Sequence, residues 1–216
     1  MTRVNPFVFD SDTSVYISHQ AKTKSWIRQE EKMDVNYIQV DIDSYKLGWG
    51  KFNPDNRQYL YEWQEKVQIP IDRPAEDYRR AFSIWLYPVY IDGDKNINHG
   101  VCLWRRHTSG EWRGFQDMMK KILASENDVP NSDNLLPTVK YTGFVTDKNK
   151  TGMDSVIPQF EVVKWSEKKE DFVIPEWFDE SSPSDNQNDD FLPKSDGDTQ
   201  TSNPVLDTLD SGDIPF

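Results

Sequence analysis

Aromatic and basic residues stand side by side repeatedly along this chain: "KTKSWIR", "YKLGWGKF", "RQYLYEW", "RRAFSIWLY", "LWRRH" and "EWRGF". Eight Trp, nine Tyr and eleven Phe make up 13% of the residues, and all eight Trp lie before residue 178. Flat ring faces stack on nucleobases, and Lys and Arg beside them follow phosphates; every base has a π-face, so this chemistry needs no sequence preference. An aromatic ring in a strand is most often core. As a group, however, these rings are too many for the interior of a small domain. The rings near glycine, turns and cations are the candidates for stacking: Trp49, Phe52, Tyr59, Tyr61, Trp63, Trp104 and Trp112. The matching phosphate candidates are Lys46, Lys51, Arg57, Arg105, Arg106, Arg113 and Lys148.

Catalytic patterns are missing. The chain contains no GxxxxGK[ST] phosphate loop, no GxSxG elbow, no HExxH and no CxxC. Asp41/Asp43 and Asp92/Asp94 could hold magnesium as paired carboxylates. Turn chemistry explains the second pair, and the solvent face of a strand explains the first. The single cysteine, Cys102, allows no internal disulfide or thiolate cage and reads as a small buried residue in a strand. His19, His99 and His107 are scattered. Neither a cofactor nor a metal is expected, and the chain reads as non-catalytic.

These residues need elements to position them. "VNYIQVDIDSYKLGW" alternates with an apolar face at Ile38, Val40 and Ile42, the period of a half-buried strand. "GWG" at 48–50 allows a bulge or bend, and "NPDN" at 53–56 is a turn. "QYLYEW" places Tyr59, Tyr61 and Trp63 on one side of a second extended piece. "RRAFSIWLYPVYI" is the strongest strand, Asp92-Gly93 opens a hairpin loop, and "VCLWRRH" returns. In "GEWRGFQDMMKKILASE" the apolar spacing becomes i, i+3, i+4, i+7, i+8 (Phe115, Met118, Met119, Ile122, Leu123), an amphipathic helix with Ser109 as its N-cap. "TVKYTGFV" and "VIPQFEVVKW" are two further strands. Residues 1–33 read as a mixed N-terminal extension, with Trp26 exposed to solvent or a partner. Five main strands with one helix between the third and fourth predict a mainly β fold, an oligonucleotide/oligosaccharide-binding (OB) barrel with extra hairpin insertions, over 1–178.

Residues 179–216 differ in composition. They carry ten acids and one Lys, a net of −9 out of the chain's −12, which leaves the body at −3. Rich in Asp, Ser, Asn, Pro and Gly, this stretch cannot bury enough surface to offset its ordering entropy and is expected to be a disordered tail. It ends "DTLDSGDIPF". An acidic tail finishing in Asp213, Ile214, Pro215 and Phe216 resembles the tip of the single-stranded DNA-binding proteins (SSBs) of bacteria and their phages. The resemblance covers the last ten residues. The body is longer than the compact bacterial domain, with an insertion at 51–70, and is closer in size to the phage-encoded proteins.

The resemblance implies a barrel that holds single-stranded DNA during replication, recombination and repair. It also implies a tail that recruits replication and repair proteins in the cytoplasm of a bacterial host. A partner's apolar pocket would take the Phe216 ring and a basic rim residue its carboxylate. The rival expectations are a strand-annealing or recombination-mediator protein and a magnesium-dependent single-strand nuclease. A protein that imitates the tip to occupy host partners is a third. The opening "MTRVNPFVFDSD" lacks a signal-peptide core and no segment has the length of a membrane span, so no membrane partner is expected.

Overall fold

The structure, a computed structural model, describes residues 15–55, 58–64, 69–126, 129, 135–148 and 154–175. Its centre is β7 (Arg79–Asp92), the near-continuous apolar run of the sequence, buried on both faces along Ala81–Pro88. Strands β4 (Tyr37–Val40) and β5 (Lys46–Asn53) form one path along it. Tyr37–Val40 lie opposite Val89–Leu86, and Lys46–Gly50 opposite Ser83–Arg79. A 3-10 turn at Ile42–Ser44 bends the path between them. Ser44 fixes this bend by donating to the Asp41 carbonyl at 2.6 Å and accepting from the Trp85 amide at 3.0 Å. The apolar alternation therefore stops at Val40. Asp41, expected on the solvent face, is instead buried, with Lys168 at 3.2 Å.

β6 (Gln58–Trp63) folds back on β5 and, among the described residues, pairs with no other strand. β8 (Lys95–Asn98) returns along β7 after the Asp92-Gly93 turn, and β9 (Cys102–Arg106) pairs with Phe82–Leu86 of β7. The helix α1 (Ser109–Glu126) follows, as the periodicity predicts. The carbonyl of Thr108, the residue before it, accepts from the Trp112 amide at 2.9 Å, so the N-terminal cap position is one residue earlier than expected. The long hairpin β10 (Leu135–Lys148) and β11 (Asp154–Glu167) completes the second half, with β10 pairing β4 at Thr138–Lys140.

The sheet is mixed and open, so the expected closed five-stranded barrel is not formed. The reason lies at β9. Its outer edge is occupied in parallel by β1 (Tyr16–Gln20), with Tyr16 opposite Leu103 and Ile17 opposite Trp104. Strands β2 (Ser25–Arg28) and β3 (Glu31–Met33) continue outward from β1. The sheet thus ends at β3 on one side and β11 on the other. Residues 16–33 are part of the sheet, and Trp26, expected to be exposed, is 1% exposed, edge-on to Trp104 at 5.2 Å.

One face of the sheet, called inner here, turns Ile17, Trp26, Ile38, Val40, Phe82, Ile84, Leu86 and Trp104 toward Phe115, Met118 and Ile122 of α1. Phe82 and Phe115 stack at 4.2 Å. Cys102 is buried here, and burial pushes its thiol up to about 11. The outer face carries a smaller cluster, Trp85, Tyr87, Leu103 and Leu136, covered by Phe172 of a strap over 168–175. Tyr87 and Asn98 both bond the Asp171 carboxylate of this strap. Among the described residues no helix is long and apolar enough to cross a membrane.

Candidate nucleic-acid interface

Side chains alternate along a strand, and directly paired residues share a face. The pairing of β5 with β6 sets Gly48 opposite Trp63, Gly50 opposite Tyr61 and Phe52 opposite Tyr59. All six stand on the outer face. Gly50 is the seat of the Tyr61 ring, and Gly48 lets the β6 backbone approach closely. A Cβ on Gly50 would lie 2.8 Å from a Tyr61 ring carbon, and one on Gly48 would lie 2.1 Å from the Glu62 carbonyl oxygen. The rings form a ladder: Phe52 to Tyr59 at 5.2 Å, Tyr59 to Tyr61 at 6.4 Å, Tyr61 to Trp63 at 5.1 Å and 9° from parallel. Tyr59 is buried, while Phe52, Tyr61 and Trp63 are half-buried and keep part of their surface in solvent.

Cations line the same face. Arg105 on β9 lies 5.5 Å from the Tyr61 ring, 5.4 Å from Trp63 and 5.6 Å from Tyr16. Lys46 is separated from Arg105 by one residue across the sheet, since Ser83 pairs with both. Burial, and then the Arg105 charge, lower the Lys46 pKa. Burial pushes the Tyr61 hydroxyl up to about 12 against the pull of Arg106 and Arg105, so it stays protonated. The outer-face strand positions of β1, β5, β6, β7 and β9 hold Lys46, Arg79 and Arg105 and not one Asp or Glu. In a chain of net −12 that is a segregated surface. Asp171 of the strap stands at Tyr87 on this side, and the charge of the buried Glu111 also reaches the Tyr61 hydroxyl and raises its pKa.

Not all sequence candidates meet here. Trp104 is 0% exposed in the inner core and donates its indole N–H to Glu111 at 3.0 Å, so it has no free face for a base. Its neighbour Arg106 also points inward and pairs with the buried Glu111 at 3.4 Å; that carboxylate, not a phosphate, balances its charge. Arg105 is 4% exposed and faces rings, which makes it a support for the ladder as much as a charge. Trp112 is half-buried against Phe82 and Phe115 on the inner side. Trp49 and Lys51 also alternate onto the inner side of their hairpin, with Lys51 bound to Asp77 at 3.2 Å. Arg113 pairs with Asp147 at 2.7 Å, and Lys148 is exposed at the end of β10, away from the ladder in the fold order. Arg57, the tail 179–216 and its tip Asp213, Ile214, Pro215 and Phe216 lie outside the described residues.

Two members were missed in the sequence. His107 lies 5.2 Å from the Tyr59 ring and 6.0 Å from Tyr61, and Tyr16 flanks Arg105. Alternation from Arg105 could have found His107 two residues on. Nothing local marks Tyr16, which reaches the site through a parallel pairing. Among the described residues no three His, Cys, Asp or Glu side chains gather where they could hold a metal ion. No protein-family model, curated protein or solved structure matches the chain.

Proposed function

We propose that this chain binds single-stranded DNA without sequence specificity, as a non-catalytic SSB-type protein. The observation that carries this is the ladder Phe52–Tyr59–Tyr61–Trp63, set beside Lys46 and Arg105 on the part of the outer face formed by β1, β5, β6, β7 and β9, whose strand positions hold no acid. Partly exposed rings at successive spacings suit successive bases, and cations alongside suit the phosphates between them. The connectivity supports an open variant of the OB fold. The bent β4–β5 path, β7, β9, α1, β10 and β11 follow the OB order, and β4 pairs both β7 and β10. OB domains bind oligonucleotides on strands two and three and the loop after strand one. Those parts correspond here to β7, β9 and the β5–β6 hairpin.

The acidic tail ending in Asp-Ile-Pro-Phe belongs to the same proposal as the segment that recruits replication and repair proteins. The test is quenching of tryptophan fluorescence by oligo-dT, against duplex of equal length, at two salt concentrations. Single-strand binding that weakens with salt supports the proposal. Equal binding to duplex, or none to oligo-dT, rejects it. Degradation of the oligonucleotide in magnesium would point to a nuclease, and accelerated pairing of complementary strands to an annealing protein.

A further inference from the structure

We infer that a bound single strand turns around the free edge of β6 and reaches a second subsite on the inner side of the β5–β6 hairpin, centred on Trp49, Arg73 and Arg80. This rests on the reading of the ladder as the primary site. β6 pairs with β5 alone, so among the described residues no strand bars the way around its outer edge. The hairpin is two strands wide, and Trp49 alternates with Gly48 and Gly50 of the ladder face, which puts its indole on the opposite side of the same ribbon.

The chemistry on that side repeats the theme of the first. The Arg80 guanidinium lies 4.1 Å from the Trp49 ring centroid and that of Arg73 lies 6.0 Å away, both within cation–π range. The indole N–H donates to the Ile71 carbonyl at 3.0 Å, which fixes the ring's orientation while the residue stays half-buried. Arg73 donates to the backbone carbonyls of Tyr78 and Glu76, neutral acceptors that leave its formal charge uncancelled. Arg80 is exposed and forms no ion pair among the described residues. Two like charges held beside one half-open indole form a place for an anion next to a stacking face. Acids are also present, with Glu62 directly opposite Trp49 and Asp77 holding Lys51. The second subsite is therefore the weaker one, filled only when the ladder already holds the strand.

The prediction is a dependence on length. Two labelled oligo-dT probes, one near ~4 and one near ~16 nucleotides, bracket the site sizes of single OB folds. Binding is followed by anisotropy. Trp49→Ala is expected to weaken the long probe by about tenfold and leave the short probe unchanged. Arg80→Gln is expected to weaken only the long probe and make its salt dependence shallower by about one ion. The glutamine variant alters an exposed side chain, so the question is decided even if Trp49→Ala fails to fold. Equal losses at both lengths, or no loss at either, overturn the inference. Trp63→Ala is the control for the ladder: if it leaves both probes unaffected, the primary site is misread, whatever Trp49 and Arg80 do.

Discussion

Trp63→Ala separates a ring that binds from a ring that builds. In the fold, Trp63 gives up one face to Tyr61 at 5.1 Å and a second contact to Arg105 at 5.4 Å, and keeps the rest of its half-buried surface in water. Losing the stacked pair costs about 0.5–1.5 kcal/mol, and losing the cation–π contact about 0.5–1 kcal/mol. Together these two contacts are worth about 1–2.5 kcal/mol beyond the ring's own partial burial. Trp104→Ala, whose ring is wholly enclosed, should cost more stability, ~3–5 kcal/mol. Affinity should respond in the opposite order. A ring that stacks on a base contributes about 1–3 kcal/mol, so Trp63→Ala should weaken oligo-dT binding by about 5- to 150-fold. Trp104→Ala, in whatever fraction folds, should bind nearly as the parent does. Urea unfolding and anisotropy titration on the same preparations give both numbers, and Trp63→Phe should recover most of the affinity. Should Trp63→Ala lose stability and keep its full affinity, the ladder is a buttress for Arg105 and not a stacking platform.

Gly50→Ala would drive a methyl to 2.8 Å from the Tyr61 ring and 3.1 Å from the His107 Cβ, so the ring must move. A stability loss of about 1–3 kcal/mol with a parallel loss of affinity is expected in the same two assays, and an unchanged affinity would show that the seat is not needed. His19 is buried, accepts or donates at the Tyr141 hydroxyl at 2.8 Å, and has its pKa lowered to about 4 by burial. The unfolded chain takes up that proton first, so stability should drop by about 3 kcal/mol as pH falls from about 6.5 to about 4. His19→Gln should flatten that part of the urea-midpoint profile, and parallel profiles would refute the assignment. Removing Phe216 should leave oligo-dT affinity unchanged while sharply reducing recovery of replication proteins from host extract; identical recovery from intact and shortened tails would mean the tip is no docking element.

The parts of the fold written in local pattern were legible. The apolar run of β7 and the 3.6-residue period of α1 are where the sequence places them, because each is set by burial along its own length. The face of a residue in a two-sided strand is a different matter. Tyr59, Tyr61 and Trp63 share a side by alternation alone, but Trp49 and Trp104 fall on the other side of the sheet from their expected partners. A shift of one residue decides this, and composition does not encode it. The open sheet was illegible for a stronger reason. It depends on β1 finding the edge of β9 in parallel, and "YISHQ" is too short and too polar on one side to announce a partner so far along the chain. Gly48 and Gly50 could be read as a bend, but the ring seat at Gly50 and the close backbone approach at Gly48 need the strand across the hairpin.

That parallel pairing also sets the order in which the protein can assemble. β1 to β3 leave the ribosome well before the elements they pack on: His19 bonds to Glu111 and Tyr141, 92 and 122 positions further along. Trp26 leans on Trp104, Tyr141 and Phe160, the last of these deep in β11. Until synthesis passes β9 the β1 backbone is unpaired on one side, and until it passes β11 the Trp26 indole lacks its contact with Phe160. Closing such distant contacts costs chain entropy before any of them stabilises, which places this domain among slow, non-local folders. β1 to β3 are thus made before the strands that secure them, and in that interval their apolar side chains are open to misassembly.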